Sequence, residues 1–228
     1  MKKIFLALTV LSLAAVSARA ADEWSGAYAG LQGGNVYTTT DFGDLDDYRD
    51  NQEMNGIKDR GAMGGVYAGY TRQNGTLVYG VEAALSTMNN KDKSELGNAN
   101  GTYGDGAYMQ TRFYSLSTVK ARFGIAAENS QFYMAVGPAW AKTKFRHDGT
   151  VAGAGILSKA STLGGMALAC GIESKFWKGL IGRFQAEYVL LDSKTYFDPS
   201  ALTYGNASRF RDSNTMLNLT FGVAYKFY

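Results

Sequence analysis

Gly165–Glu173 reads GMALACGIE. Two classes of side chain alternate along it. Met166, Leu168, Cys170 and Ile172 are bulky and apolar. Gly165, Ala167, Ala169 and Gly171 are small and share their parity with the charged Glu173. A period of two marks a strand with two unlike faces. In a soluble barrel the apolar face fills the interior and the charges face water. An eight-stranded barrel, however, leaves room inside only for side chains. Small residues mixed with charges fit that narrow lumen. The bulky face is then left to meet hydrocarbon.

The same rhythm extends in both directions and predicts eight strands. They are Trp24–Tyr37, Arg60–Thr71, Thr76–Met88, Ala107–Ile125, Gln131–Lys144, Ser161–Lys175, Leu180–Asp192 and Ser213–Tyr228. In the third, Leu77, Tyr79, Val81, Ala83 and Leu85 oppose Val78, Gly80, Glu82, Ala84 and Ser86. In the fourth, Phe113, Val119, Phe123 and Ile125 share one parity, and Arg112, Lys120 and Arg122 the other. In the seventh, Phe184, Ala186, Tyr188 and Leu190 oppose Arg183, Gln185 and Glu187. The Asn74–Gly75 pair marks a tight turn. Pro138 takes a hydrogen-bond donor out of the fifth strand and predicts a bulge there.

The connections alternate as well. Thr38–Asp59, Asn89–Gly106, Phe145–Lys159 and Ser193–Asp212 are long and polar, whereas the others are a few residues each. Short turns at one end and long loops at the other predict an all-β, eight-stranded antiparallel up-and-down transmembrane barrel. About ten residues tilted near 45° cover roughly 23 Å, close to the apolar band of such a barrel. Trp24, Tyr70, Trp140, Tyr188, Tyr225 and Phe227 fall near strand ends, where interfacial aromatics belong.

Residues 1–20 are read as a signal peptide. Met1-Lys2-Lys3 is basic, Ile4–Val16 is an apolar run too short to span, and Ala18-Arg19-Ala20 fits a cleavage site. The barrel domain is then 21–228. Lys2, Lys3 and Arg19 leave with the signal, so the formal +3 falls to zero and gives no reason to expect nucleic acid. Cys170 is the sole cysteine and cannot form an internal disulfide. The expected location is the outer membrane, among its lipid and lipopolysaccharide.

The last twelve residues, LNLTFGVAYKFY, are strictly two-faced. Chain ends usually fray. This one must pair with the first strand, because an open edge in lipid leaves backbone groups unsatisfied. Thr220, Gly222, Tyr225 and Phe227 are similar to the C-terminal assembly signal of outer-membrane proteins, read by the barrel-assembly machinery. Tyr228 follows where the family pattern ends on the aromatic.

Five fragments carry a wider resemblance: WSGAYAG (Trp24–Gly30), STVKARFGIA (Ser117–Ala126), GMALACGIE, AEY (Ala186–Tyr188) and FGVAYKF (Phe221–Phe227). Together they resemble the small alphaproteobacterial outer-membrane surface-antigen and porin-like family. The resemblance implies an OmpA-like eight-stranded barrel whose loops meet the environment. It also implies links to envelope integrity, contact with host or environmental ligands and, in some members, haemin binding.

Eight charged residues are assigned to the lumen: Glu82, Arg112, Lys120, Arg122, Glu173, Arg183, Glu187 and Lys226. Isolated buried charges are very costly, so these must pair. A salt-bridge plug is the favoured reading over an ion path. No metal site is expected: Asp44 and Asp46 match the start of a calcium loop, but Tyr48 and a missing glycine break the pattern. The one histidine, His147, is a candidate haem ligand in the third loop. His147-Asp148, with Ser158 and Ser161 further on, does not make a triad, and no catalytic residue is assigned. No cofactor is required. The glycines of GTYGDG (Gly101–Gly106) precede no helix and form no phosphate cradle.

Overall fold

The computed structural model describes residues 24–44, 54–89, 92–95, 108–148, 157–198 and 208–227. Ten strands form one antiparallel sheet: β1 (Gly26–Asp44), β2 (Met54–Asn74), β3 (Leu77–Asn89), β4 (Asp92–Glu95), β5 (Tyr108–Ala127), β6 (Ser130–Asp148), β7 (Leu157–Trp177), β8 (Leu180–Leu191), β9 (Lys194–Asp198) and β10 (Ser208–Lys226). The order is β1-β2-β3-β5-β6-β7-β8-β10, closed by pairing of β1 with β10. β4 continues the line of β3 along β5, and β9 continues β8 along β10. The barrel therefore has eight walls, two of them interrupted.

The closing seam runs from Tyr28↔Lys226 to Asp44↔Phe210 without a shift of register. Paired residues can be followed round the wall from Ala27 through Tyr70, Val81, Ala121, Val136, Leu168, Tyr188 and Leu217. The path returns to β1 at Tyr37, ten residues further on. Ten residues of stagger over eight strands corresponds to a tilt of about 40°.

Outward residues are the oily ones. Leu31, Val81, Leu85, Phe123, Phe132, Met134, Met166, Leu168 and Phe221 are all exposed. Ala135, Ala167, Ala169 and Thr220 are buried inside. No helix among the described residues is long and apolar enough to cross a membrane.

Three expectations need correction. The strands are longer than the apolar alternation: β1 runs on to Asp44, β6 to Asp148, and β2 begins at Met54. Above the hydrocarbon a strand needs no oily face, so its polar part reads as loop. The first tight turn centres on Gly75 and Thr76, with Asn74 paired to Leu77. Gly75 has φ +62° and Thr76 a negative φ, which suits glycine at the first central position of a II′ turn. Pro138 causes no bulge; β6 keeps one register against β5 on either side of it, and Pro138 pairs with Met166 on β7. The bulge lies instead in β5, between Phe113 and Ser115. Calcium-like Asp46 and the glycines Gly101–Gly106 lie outside the described residues.

Candidate functional site

The lumen is built in layers. Six charges sit three to seven residues in from the short-turn ends of their strands: Glu82, Lys120, Arg122, Glu173, Arg183 and Glu187. None is more than 4 % exposed. Three carboxylates face three cations, so the set is neutral.

Glu82 is the hub. Its Oε2 lies 2.8 Å from Arg122 Nη1 and 2.7 Å from Arg183 Nη1. It also accepts from the Tyr28 hydroxyl at 2.9 Å. Lys120 Nζ is 3.7 Å from Glu82 Oε1 and pairs closely with Glu187. Arg122 Nη2 reaches Glu173 Oε1 at 2.9 Å. Local register explains part of this: Glu82 is directly across from Lys120, and Glu173 from Arg183. The rest is long side chains spanning the lumen, since Arg183 on β8 reaches Glu82 on β3. A six-residue network branching from Glu82 is what lets the ions remain buried at all, because each keeps at least one partner of opposite sign.

Neutral groups complete the shell. Gln131 donates to Glu173, and Arg183 to Gln32. Asn218 donates to Glu187 at 3.1 Å, and the Tyr133 hydroxyl to Gln185 at 2.8 Å. The guanidinium of Arg183 lies 3.5 Å from the centre of the Tyr67 ring, and that of Arg122 lies 3.8 Å from Tyr133. Stacking presents the ring face to each cation and leaves the planar edge free to bond carboxylates.

Apolar layers close both sides of the hub. Nine to fourteen residues from the short turns lie Val36, Met63, Met88, Phe113, Leu116, Leu163, Val189 and Met216, all buried in one cluster. At the short-turn mouth are Trp24, Val78, Ala126, Ile181 and Ala224. Trp24, expected in an interfacial girdle, is 2 % exposed. Its backbone N–H donates to Gln73 Oε1 at 2.9 Å, and Lys175 Nζ stands 4.3 Å over its ring. It precedes β1 and turns into the mouth, so strand parity does not govern it.

Two predicted lumen residues stand apart from the hub. Lys226 is buried, but at the end of β10. Arg112 is not in the lumen. The extra residue in β5 reverses parity above Ser115, so Phe113 turns inward and Arg112 outward, where it bonds Asn89 and lies 5.2 Å from the Tyr114 ring. The apolar layers were missed because Met63, Met88, Leu163 and Met216 share parity with polar residues. Only their height in the strand distinguishes them. His147 belongs to β6, its backbone paired with Met109 and Leu157, and Ser158 and Ser161 belong to β7. Thr220 faces the lumen, while Tyr225 and Phe227 point outward with ring centres 5.4 Å apart. Among the described residues no three His, Cys, Asp or Glu side chains are grouped to hold a metal.

A closed antiparallel wall, oily outside and ion-paired within, is a transmembrane β-barrel. The family model of the outer membrane protein beta-barrel domain matches residues 6–227, and the chain belongs to that family. It is a protein of the outer membrane. Among solved structures it is similar to the outer membrane protein OprG from Pseudomonas aeruginosa, at 16% identity and a TM-score of 0.53 over 89% of this chain and 97% of that one. The outer membrane protease OmpT from Escherichia coli gives 8% identity and a TM-score of 0.51 over 91% of this chain and 98% of that one. Ail of Yersinia pestis, solved with the heparin analogue sucrose octasulfate, gives 14% identity and a TM-score of 0.40 over 86% and 99%. At these identities the likeness is one of fold. No curated protein matches the sequence.

Proposed function

We propose that this barrel is a non-enzymatic structural and surface-interaction protein of the envelope. In this reading its lumen is a plug. The observation that carries it is the neutral six-charge hub held between two apolar layers, with Phe113 and Met216 above and Trp24 below. An ion entering would have to separate pairs that are already desolvated and cross an oily layer as well. The buried charges are committed to one another, which leaves the connections at the long end to meet host or environmental ligands. The narrower kinship with alphaproteobacterial surface antigens, and export by a signal in residues 1–20, belong to the same proposal. Planar-bilayer recording of the mature chain tests it. Silent membranes are expected; discrete, reproducible openings would overturn the plug.

A further inference from the structure

The outward stripe of β6 changes character with height. From the short turn upward it reads Phe132, Met134, Val136, Pro138, Trp140, Lys142, Lys144, all exposed. Trp140 stands ten residues above Ser130, a rise of about 25 Å at the tilt of this barrel and so the upper edge of the apolar band. Lys142 and Lys144 lie just beyond it. On the neighbouring strand the β5 bulge delivers Arg112 to the same level, directly across from Lys144. Lys142 pairs across with Ser115. Like charges opposite one another destabilise a ladder. Among the described residues none of the three has a carboxylate within salt-bridge distance. Among the described residues Arg112 bonds the Asn89 side chain and lies over the Tyr114 ring, and its buried Nε has no hydrogen-bond partner.

We infer that Arg112, Lys142 and Lys144 form a binding site for a phosphate group of lipopolysaccharide in the outer leaflet. The three cations stand at headgroup depth, and the planar guanidinium of Arg112 suits a phosphate group. Trp140 lies immediately beneath. Val136, Met134 and, across the strand, Leu168 continue the oily surface downward for acyl chains. A headgroup anion between the strands removes the like-charge conflict. The site follows from outer-membrane placement and is independent of whether the lumen conducts.

The test titrates the mature barrel, folded in zwitterionic detergent, with lipopolysaccharide, phosphate-stripped lipopolysaccharide and phosphatidylglycerol. Wild type should prefer the intact lipid over both others by about tenfold or more. Arg112→Gln/Lys142→Gln/Lys144→Gln should lose most of that preference. Lys142→Arg/Lys144→Arg should keep it, and Lys178→Gln, in a short turn, should match wild type. Heat-modifiable migration checks folding. If the triple variant does not fold, Lys144→Gln alone should show a smaller loss in the same direction. Unchanged binding by a folded triple variant, or by Lys144→Gln when only that variant folds, overturns the site. So does equal wild-type binding of intact and stripped lipid, and equal binding of phosphatidylglycerol rejects lipopolysaccharide as the ligand.

Discussion

Glu82 concentrates more of the lumen's electrostatics than any other side chain. Three cations and a phenol converge on its carboxylate. Glu82→Gln keeps the shape and leaves three cations with two carboxylates. Removing one partner of a buried pair costs about 3–5 kcal/mol, so urea unfolding in lipid vesicles should shift to clearly lower denaturant. Adding Arg183→Gln should return part of the loss, and strict additivity of the two changes would argue against a shared hub. Phe113 packs in the apolar layer above the hub. Phe113→Ala should cost about 3 kcal/mol or more, as deletion of a packed core side chain does. Val119→Ala, on the lipid face, should cost far less. Equal costs would mean that Phe113 also faces lipid. The six hub charges were legible in sequence because each shares a parity with glycine, alanine or polar neighbours. Arg112 was not, since one inserted residue lies between it and Lys120 and alternation carries no sign of an insertion. Trp24 was not, since it lies before the strand begins.

At the scale of elements, strand existence was legible and strand length was not. Apolar alternation stops where hydrocarbon stops, whereas the hydrogen-bonded ladder continues through polar Thr39 to Asp44 on β1 and through His147 on β6. Certain glycines are fixed by the closeness of adjacent strands. A Cβ on Gly137 would stand 2.0 Å from the Val119 carbonyl oxygen and 2.8 Å from Lys120 Cα. Gly33 has room, its nearest atom being 3.8 Å away. Gly137→Ala should therefore deplete the heat-modifiable folded band, and Gly33→Ala should leave it near wild type. Similar bands from both would contradict the close approach at Gly137. The last strand has two duties, sealing β1 and presenting Tyr225 and Phe227 outward. Gly222→Asp places a charge where a Cβ already meets Leu31 O at 3.0 Å and the Tyr67 ring at 3.1 Å. That substitution, and loss of Phe227 with Tyr228, should each lower the amount of assembled barrel in membranes. Normal amounts in both would remove the assembly role from this segment.

For the whole molecule, closure, strand count and inverted faces follow from one constraint. Backbone groups in lipid must all be paired, so the sheet has to meet itself. Small residues leave space for ions inside, and bulky ones cover the outside. The layering of the lumen was invisible to parity, because an inward methionine and an inward glutamate look alike until their heights are compared. Which face meets hydrocarbon is measured directly by site-directed spin labelling in a Cys170→Ser background. Labels at Leu168 and Phe221 should collide with dissolved oxygen in the acyl region and be shielded from a water-soluble relaxant. Labels at Ala169 and Thr220 should be shielded from the acyl region. Aqueous contact at Leu168 and Phe221, or acyl-chain contact at Ala169 and Thr220, would contradict the inverted barrel.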